Sequence, residues 1–587
     1  MLAAMLMALT FLGGFLWRIQ VLHGSRYQSS HEKQSVRRVR LPGYRGAIYD
    51  RHGVCLADNR PSYCIAIYVE ELRRPGRWDR TIDEVERVVN RLSDVLGLKR
   101  TLTRDDIRNH IRRRLPLPLI VWQDIDERAL ARWAENSAAF PAVDLQIDPV
   151  RHYPRHALAC HVLGYVGRIE IAQDDDTEDY HYYLPEMEGR AGVERQFNSQ
   201  LAGATGGRLI RVDASGFRHD EIAEREPGVG SDLVLTIDAR IQELAGGILE
   251  GIRGAAVVID PRNGDVLALA SSPSFDPNVF SPVISLPDWK QLTSDEALPM
   301  FDRAVSGLYP PGSTFKPVVA IAALESQRAT PDTVFECPGY FELGDVRFHC
   351  WNESGHGSLA LRKAIEQSCN AYFCQLGLRA GYESIFRVAR SVGLGKKSGI
   401  ELDQEADGLL PSAEWKRRVM GDGWRRGDTC NISIGQGALL VTPLQMATVV
   451  GTLGNGGTVY RPRLMYRPEE KGEVVGRIGW SAETMEVVRG GMYDVVEAES
   501  GTGRRARIEG IRMAGKTGTA EHGPKAERRK YAWMTVFAPF DEPRYAVAVV
   551  IEDAVSGGVT VAPLVKKLMD GIFETGARRA DSPGGNA

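Results

Sequence analysis

The stretch Pro310-Pro311-Gly312-Ser313-Thr314-Phe315-Lys316-Pro317 constrains this chain more than any other. Two prolines and a glycine make a turn, and directly behind it runs Val318-Val319-Ala320-Ile321-Ala322-Ala323-Leu324-Glu325, an apolar run with the pattern of a buried helix. Pro317 has no N–H and is tolerated only in a first helical turn, so the helix must begin near Ser313. Ser313 and Lys316, three residues apart, then share one helical face with the amine in reach of the hydroxyl. The positive end of the helix favours a neutral lysine and an anionic oxygen beside it. That combination makes a serine nucleophile with a lysine base.

A serine three residues before a lysine arises by chance about once or twice in a chain of this length. Ser30 and Lys33, in a polar stretch with no helix start, form such a decoy. The Ser313 pair gains weight from two later segments. Ser368-Cys369-Asn370 opens the apolar run Ala371-Tyr372-Phe373, and Lys516-Thr517-Gly518-Thr519 precedes the strand Ala532 to Ala538. Ordinary usage gives only about a tenth of a Lys-Thr-Gly triplet in this length. The three segments occur in this order, 55 and 148 residues apart.

At 587 residues the chain has room for two or more cores, and 43% hydrophobic with 25% charged residues is ordinary for globular protein. The formal net charge of -3 gives no reason to expect nucleic acid as a partner, and eight cysteines are too few for a disulfide scaffold. Met1 to Trp17 carries no charged side chain and is almost wholly apolar. As a helix it spans about 26 Å, a short membrane crossing that Arg18 extends by snorkelling. A cleaved signal peptide is the rival, but no small-x-small site follows, so residues 1–22 are expected to form a single anchor. Arg18, Arg26, Lys33, Arg37, Arg38 and Arg40 all follow it, which the positive-inside rule reads as a cytoplasmic body. Long domains translocate regardless of charge, so this distribution does not decide the orientation.

The first third reads as scaffold. Short strands are expected at Ala47–Tyr49 and Ser62–Glu70, helices at Asp79–Leu98, Arg104–Arg114 and Asp126–Ser137, and an extended stretch at Val143–His152. The acidic run Asp174 to Asp179 reads as a solvated loop and His181 beside it as exposed. Ser231 to Asp238 alternates like a strand, and Ala255–Asp260 with Asp265–Ala270 makes a hairpin across Pro261-Arg262-Asn263-Gly264. A domain boundary falls near residue 230. Residues 578–587 read as a disordered tail.

With the three segments assembled, the chain resembles the class B penicillin-binding proteins, monofunctional transpeptidases of bacterial cell-wall synthesis, whose signature set is S-x-x-K, S-x-N and K-T-G. Arg45-Gly46-x-Ile48-x-Asp50-Arg51 resembles their pedestal motif, and Gly164–Arg168 and Gly189–Glu194 resemble later ones. Leu308 to Ser313, Trp351 with Gly355-His356-Gly357, and Gly427-Asp428-Thr429 followed by Ile434-Gly435-Gln436-Gly437 resemble the elongation-specific subgroup, penicillin-binding protein 2. The division-specific subgroup is the nearest rival. The resemblance implies an α/β (α+β) architecture: an anchor at 1–22, an elongated pedestal at 23–230, and a transpeptidase domain at 231–577 with a central antiparallel sheet flanked by helices. It places the catalytic domain on the periplasmic side of the cytoplasmic membrane.

The resemblance also implies roles. Ser313 attacks the penultimate D-Ala carbonyl of a stem pentapeptide, and Lys316 takes its proton. Ser368 relays a proton to the leaving amine, and Asn370 fixes Lys316 and the substrate amide. Lys516, Thr517, Gly518 and Thr519 bind the substrate carboxylate, and the Ser313 and Thr519 N–H groups form the oxyanion hole. β-Lactams would acylate the same serine. Ser368 can also be read as a simple helix N-cap. Gly435-Gln436-Gly437 would shape the floor of the site, and Thr502-Gly503 would belong to a mobile loop. Partners implied for the pedestal are a SEDS-type glycosyltransferase of the RodA kind and an MreC-like activator. The rival functions are a class D-like serine β-lactamase, which shares Ser-Thr-Phe-Lys, a D,D-carboxypeptidase, and a non-catalytic β-lactam sensor or scaffold. The anchor, the pedestal and Asn370 argue against the first, and the intact triad against the last.

Cys337, Cys350, His356 and Cys369 form a second constellation, with gaps of 13, 6 and 13 residues. Three thiolates and an imidazole make a closed tetrahedral zinc set with no open position, hence a structural site. Two readings stand against it: a disulfide between two of these cysteines, and Cys369 as a small buried residue like Cys374 and Cys430.

Overall fold

The computed structural model describes residues 2–23, 36–112, 117–169, 182–183, 186–212, 218–523 and 529–580. The acidic run, His181 and residues 581–587 lie outside the described residues. The apolar helix Leu2–Trp17 continues through Arg18–Leu22, and none of Met5–Leu22 is buried against the described residues. Among the described residues it is the one helix long and apolar enough to cross a membrane.

The pedestal is built on the long strand Cys55–Ile67, which pairs antiparallel with Val143–His152 from Asp58 opposite His152 to Ile67 opposite Val143. The helices Trp78–Leu96, Arg104–Arg112 and Glu127–Asn136 bury Val85, Val89, Leu92, Ile107 and Trp133 against Ile65, Ile67 and Trp122. Each carries apolar residues at three- and four-residue spacing, the reason the sequence reads as helical there. A second sheet, ordered Arg218–Arg225, Gly206–Val212, Val36–Leu41, Tyr182–Tyr183, has among the described residues a small core of Val39, Leu41, Ile210 and Val212 with Leu117 against it. The pedestal motifs meet at Glu194. Its fully buried carboxylate accepts from Arg45 Nε at 2.5 Å and Arg151 Nε at 2.6 Å, and Arg45 Nη1 reaches Asn198 at 2.8 Å.

The expected strand over Ser231–Asp238 shrinks to Leu233–Val234, parallel to Ile48–Tyr49. The remaining N–H groups are taken elsewhere: Thr236 donates to Leu464 O at 2.7 Å and Asp238 to Leu267 O at 2.9 Å. Asp238 then caps the helix Ala239–Gly247 by accepting from Arg240 and Ile241 N–H.

The catalytic body centres on a five-stranded antiparallel sheet in the order Val266–Ser272, Gly254–Ile259, Tyr545–Glu552, Arg529–Ala538, Ala514–His522. Every residue of Gly254–Ile259 is buried, which matches its unbroken small and β-branched run. Helix Pro443–Gly454 packs through Gly451 on Ile259 and Ala546, and helix Ala239–Gly247 meets the C-terminal helix Ala562–Ala580 where Leu244 touches Gly571. The C-terminal helix runs through Ala580, so the first three residues of the expected tail are helical. The Pro310–Leu324 stretch forms the tight turn Gly312–Phe315 followed by the helix Lys316–Glu325, buried from Lys316 to Ala323.

Candidate active site

The turn that carries Ser313 is held from three sides. The buried Trp533 indole donates to Pro310 O at 3.0 Å, Gly312 N donates to Gly435 O at 2.9 Å, and Thr314 Oγ1 donates to Pro311 O at 2.7 Å. Gly312 has φ +54°, and a Cβ there would lie 2.8 Å from Thr519 O and 3.2 Å from Thr519 N. A Cβ on Gly518 would lie 2.9 Å from Pro311 O. Two missing side chains thus let the edge strand Ala514–His522 lie directly on the nucleophile's turn. The sequence reading of Gly435 as floor agrees with this contact.

Ser313 is half-buried, whereas Lys316 and Lys516 are both 0% exposed. Lys316 Nζ donates to Ser368 O at 2.7 Å, to Asn370 Oδ1 at 2.7 Å and to Ser368 Oγ at 3.4 Å. The hydrogen bond to Ser313 expected from the three-residue spacing is not made, because these three oxygens draw the amine towards the Ser368 turn. Lys516 Nζ donates to the same Ser368 Oγ at 2.9 Å and to Thr517 O at 3.1 Å. One hydroxyl therefore bridges two buried amines. Burial pushes Lys316 down to about 8, although thiol charge at Cys369, Cys350, Cys374 and Cys337 pulls the other way. Burial, with repulsion from Lys316 second, holds Lys516 well below the usual lysine range.

Ser368 has φ +54°, left-handed backbone that costs a residue other than glycine about 1–3 kcal/mol. It does not cap the following helix. The N-cap of Asn370–Ala380 is Cys369, whose sulfur accepts from Tyr372 N at 3.4 Å, leaving the Ser368 hydroxyl to the two lysines. Asn370 Nδ2 donates to His349 O at 3.1 Å, and the Trp351 indole to Gln367 O at 2.8 Å. These bonds fasten the Cys337–His356 region to the Ser368 turn.

Cys337, Cys350, His356 and Cys369 converge, their ligand atoms all within 4.8 Å of one another. His356 Nδ1 lies 3.5 Å from both Cys337 Sγ and Cys350 Sγ, and the Cys350 and Cys369 sulfurs are 4.0 Å apart. A tetrahedral zinc with Zn–S near 2.3 Å and Zn–N near 2.0 Å requires ligand separations of about 3.5–3.8 Å. The two His356–thiol distances match such an ion and the other separations, up to 4.8 Å, are wider, so the four residues could hold zinc after a small contraction; three sulfurs and one imidazole nitrogen are the donor chemistry zinc prefers. All eight cysteines are free thiols, Cys374 and Cys430 among them as buried small residues.

Comparison with known proteins now decides the family. The transpeptidase domain of penicillin-binding proteins matches residues 254–570, and the penicillin-binding protein dimerisation domain matches residues 40–235. This chain belongs to the class B penicillin-binding proteins. It is 33% identical to the peptidoglycan D,D-transpeptidase MrdA of Haemophilus influenzae over 94% of this chain and 88% of that protein. The Escherichia coli K12 enzyme of the same name is 32% identical over 97% and 93%. Penicillin-binding protein 2 of Helicobacter pylori, solved in complex with MreC, superposes with TM-score 0.79 at 28% identity, covering 92% of this chain and 99% of that one. Pseudomonas aeruginosa penicillin-binding protein 2, in complex with WCK 5153, gives 0.67 at 30% identity, covering 92% and 96%. The likenesses favour the elongation-specific reading over the division-specific, β-lactamase and sensor alternatives.

Of two further residues near the site, one was misplaced by the sequence reading and one escaped it. Thr502, expected in a mobile loop, accepts from Thr517 Oγ1 at 2.9 Å. Glu366, buried two residues before Ser368, had no motif to mark it; a lone glutamate at a helix end looks like a surface charge until burial is known.

Proposed function

We propose that this penicillin-binding protein crosslinks peptidoglycan stem peptides during cell elongation, through an acyl-enzyme on Ser313. The observation that carries the residue assignment is the Ser368 hydroxyl set between two fully buried lysines. A neutral Lys316 accepts the Ser313 proton as Oγ bonds to the penultimate D-Ala carbonyl carbon. The proton passes through Ser368 to the amine of the terminal D-Ala as the C–N bond breaks. The Ser313 and Thr519 N–H groups stabilise the oxyanion, and Lys516, Thr517 and Thr519 hold the terminal carboxylate. An amine from a neighbouring stem peptide then attacks the ester carbonyl, loses its proton along the same relay, and returns Ser313 to its free hydroxyl. Intact-mass spectrometry with a β-lactam tests this: a stable adduct is expected, absent from Ser313→Ala. Drug hydrolysis without an adduct would instead indicate a β-lactamase.

Cys337, Cys350, His356 and Cys369 would hold a structural zinc, with no open position for substrate. These residues would keep the Ser368 turn in its left-handed conformation through the Cys369 cap and the Asn370 bond to His349 O. Native mass spectrometry reads the bound ion directly, and a two-hydrogen deficit without metal would mean a disulfide. The catalytic body would sit on the periplasmic face of the membrane, tethered by the N-terminal helix. The pedestal would receive an MreC-like activator and a RodA-kind glycosyltransferase. Its two sheets flank a cavity of about 510 Å³ lined by Val39, Leu41, Leu145, Ile147 and Ile210, and the Helicobacter pylori relative was solved with MreC.

A further inference from the structure

Glu366 ends the helix Leu361–Glu366 with its carboxylate buried. One oxygen, Oε1, accepts from Lys363 Nζ at 2.7 Å, Ser500 Oγ at 2.5 Å and Gln367 Nε2 at 3.1 Å. Gln367 Nε2 also donates to Ser500 O at 3.0 Å, and Lys363 Nζ to Ser500 Oγ at 3.2 Å. Ser500 is thus gripped at both its hydroxyl and its carbonyl. Two residues on, Thr502 Oγ1 donates to Glu366 O at 3.4 Å and accepts from Thr517 Oγ1 at 2.9 Å. The loop cannot stand off the site: Gly501 and Gly503 close it onto the helix Ala482–Glu497, with Gly503 N donating to Val495 O at 2.9 Å, and Gly558 packs against Thr502 O where a Cβ would be 2.5 Å away.

A continuous chain of bonds therefore joins the residue two before Ser368 to the threonine of the Lys-Thr-Gly strand. A hydroxyl has one proton: in the free site Thr502 gives its own to the Glu366 carbonyl, at 3.4 Å, and offers Thr517 a lone pair. In the free site the Thr517 hydroxyl is thus held as a donor to Thr502. When an anion arrives, the Thr517 O–H turns to a charged carboxylate oxygen, a stronger acceptor, and the Thr502 O–H, held to Glu366 O only at 3.4 Å, turns to the Thr517 oxygen, so that both hydroxyls stay bonded.

We propose that Thr502 is a positioning residue that sets the Thr517 hydroxyl for the terminal carboxylate of the acyl donor, and that Glu366 holds Thr502 in place by anchoring Ser500. This inference rests on the reading of Ser313 as the acylated serine and of Thr517 as a carboxylate contact. Neither Thr502 nor Glu366 touches the reacting carbonyl. Their loss should therefore appear in donor recognition and leave the acylation step itself nearly intact.

The test uses the full chain in detergent with two thioester donors, N-benzoyl-D-alanyl thioglycolate and its methyl ester, which differ only in the carboxylate charge. Acylation of Ser313 is followed at several donor concentrations, separating half-saturation from the limiting rate. Thr502→Val, which keeps shape and removes the hydroxyl, should raise half-saturation for the acid about fivefold, the loss of one neutral hydrogen bond to the group that holds the carboxylate, and change the limiting rate less than about twofold. The methyl ester should lose less than about twofold, so discrimination between the donors collapses. Thr502→Ser should restore it, and Glu366→Gln should weaken it about threefold. A loss equal for both donors, or confined to the limiting rate, would make the network merely structural and overturn the proposal, as would unchanged discrimination in Thr502→Val. Absence of any wild-type acylation would instead remove the Ser313 reading, and this inference with it.

Discussion

In the pedestal, the fully buried Glu194 lies between two buried arginines; in the catalytic body, Lys316 and Lys516 are equally buried and share one serine hydroxyl. Among the described residues no carboxylate pairs with either lysine. Both sites remove charge from water, which costs several kcal/mol per ion. The pedestal recovers that cost with ion pairs that tie Arg45, Arg151 and Glu194, far apart in sequence, into one joint. The catalytic site cannot recover it, so its lysines shift towards the neutral amine. Buried charge with a counter-ion makes a joint, and buried charge without one makes a base.

The comparison breaks most sharply at Lys316. Lys316→Arg keeps the charge but cannot become neutral, so Ser313 acylation by a β-lactam should fall at least about a thousandfold, read as the rate of adduct formation by mass spectrometry. Retained acylation would show that the lysine acts as a cation. The pedestal should behave in the opposite way. Glu194→Ala leaves two buried arginines unpaired and should cost about 3–5 kcal/mol of stability in denaturant unfolding, while acylation by the surviving folded protein stays near the wild-type rate. A large loss of acylation rate in folded Glu194→Ala would mean that the two sites are coupled.

A milder probe is pH. Lys316 must lose a proton to act, and its folded-state value of about 8 lies below the ordinary 10.5. Acylation should rise about tenfold per pH unit below 8 and level off above it. The unfolded chain binds more protons at this lysine between about 8 and 10.5, so the penalty for burying it shrinks as pH rises through that window. A flat rate profile from pH 6 to 9 would contradict the base role. The smallest effect is expected from a chelator. On the zinc reading proposed above, stripping the metal from the cysteine–histidine cluster should lower Tm by a few degrees and slow acylation by loosening the Ser368 turn, with both restored by added zinc. Chelation that changes neither, on protein free of bound zinc, would leave the four residues as packing alone.

Much of this was legible in the chain. Pro317 placed the helix start, and the apolar run behind it predicted full burial. Cys337, Cys350, His356 and Cys369 stood out by residue type. Less legible were features set by partners distant in sequence. Ser231–Asp238 alternates like a strand but loses its ladder to Leu464 and Leu267. Ser368 looked like an N-cap, yet the adjacent Cys369 takes that place. Glu366 and Thr502 belong to no motif, and what they do depends on a helix end and a loop more than a hundred residues apart.

The sequence by itself determined which groups are present and the local geometry that offers them: a turn, a helix start, an edge strand, and the order in which they arrive. Short-range sterics decide such things, because proline's missing N–H and glycine's missing Cβ act within a few bonds. Only the tertiary structure decided the protonation and aim of those groups. Lys316 donates to Ser368 and Asn370 and not to Ser313, because 52 and 54 residues later the chain returns with oxygens that outcompete the near hydroxyl, and burial moves it towards the neutral amine. Burial and hydrogen-bond competition are sums over the whole fold, and no window of sequence contains them.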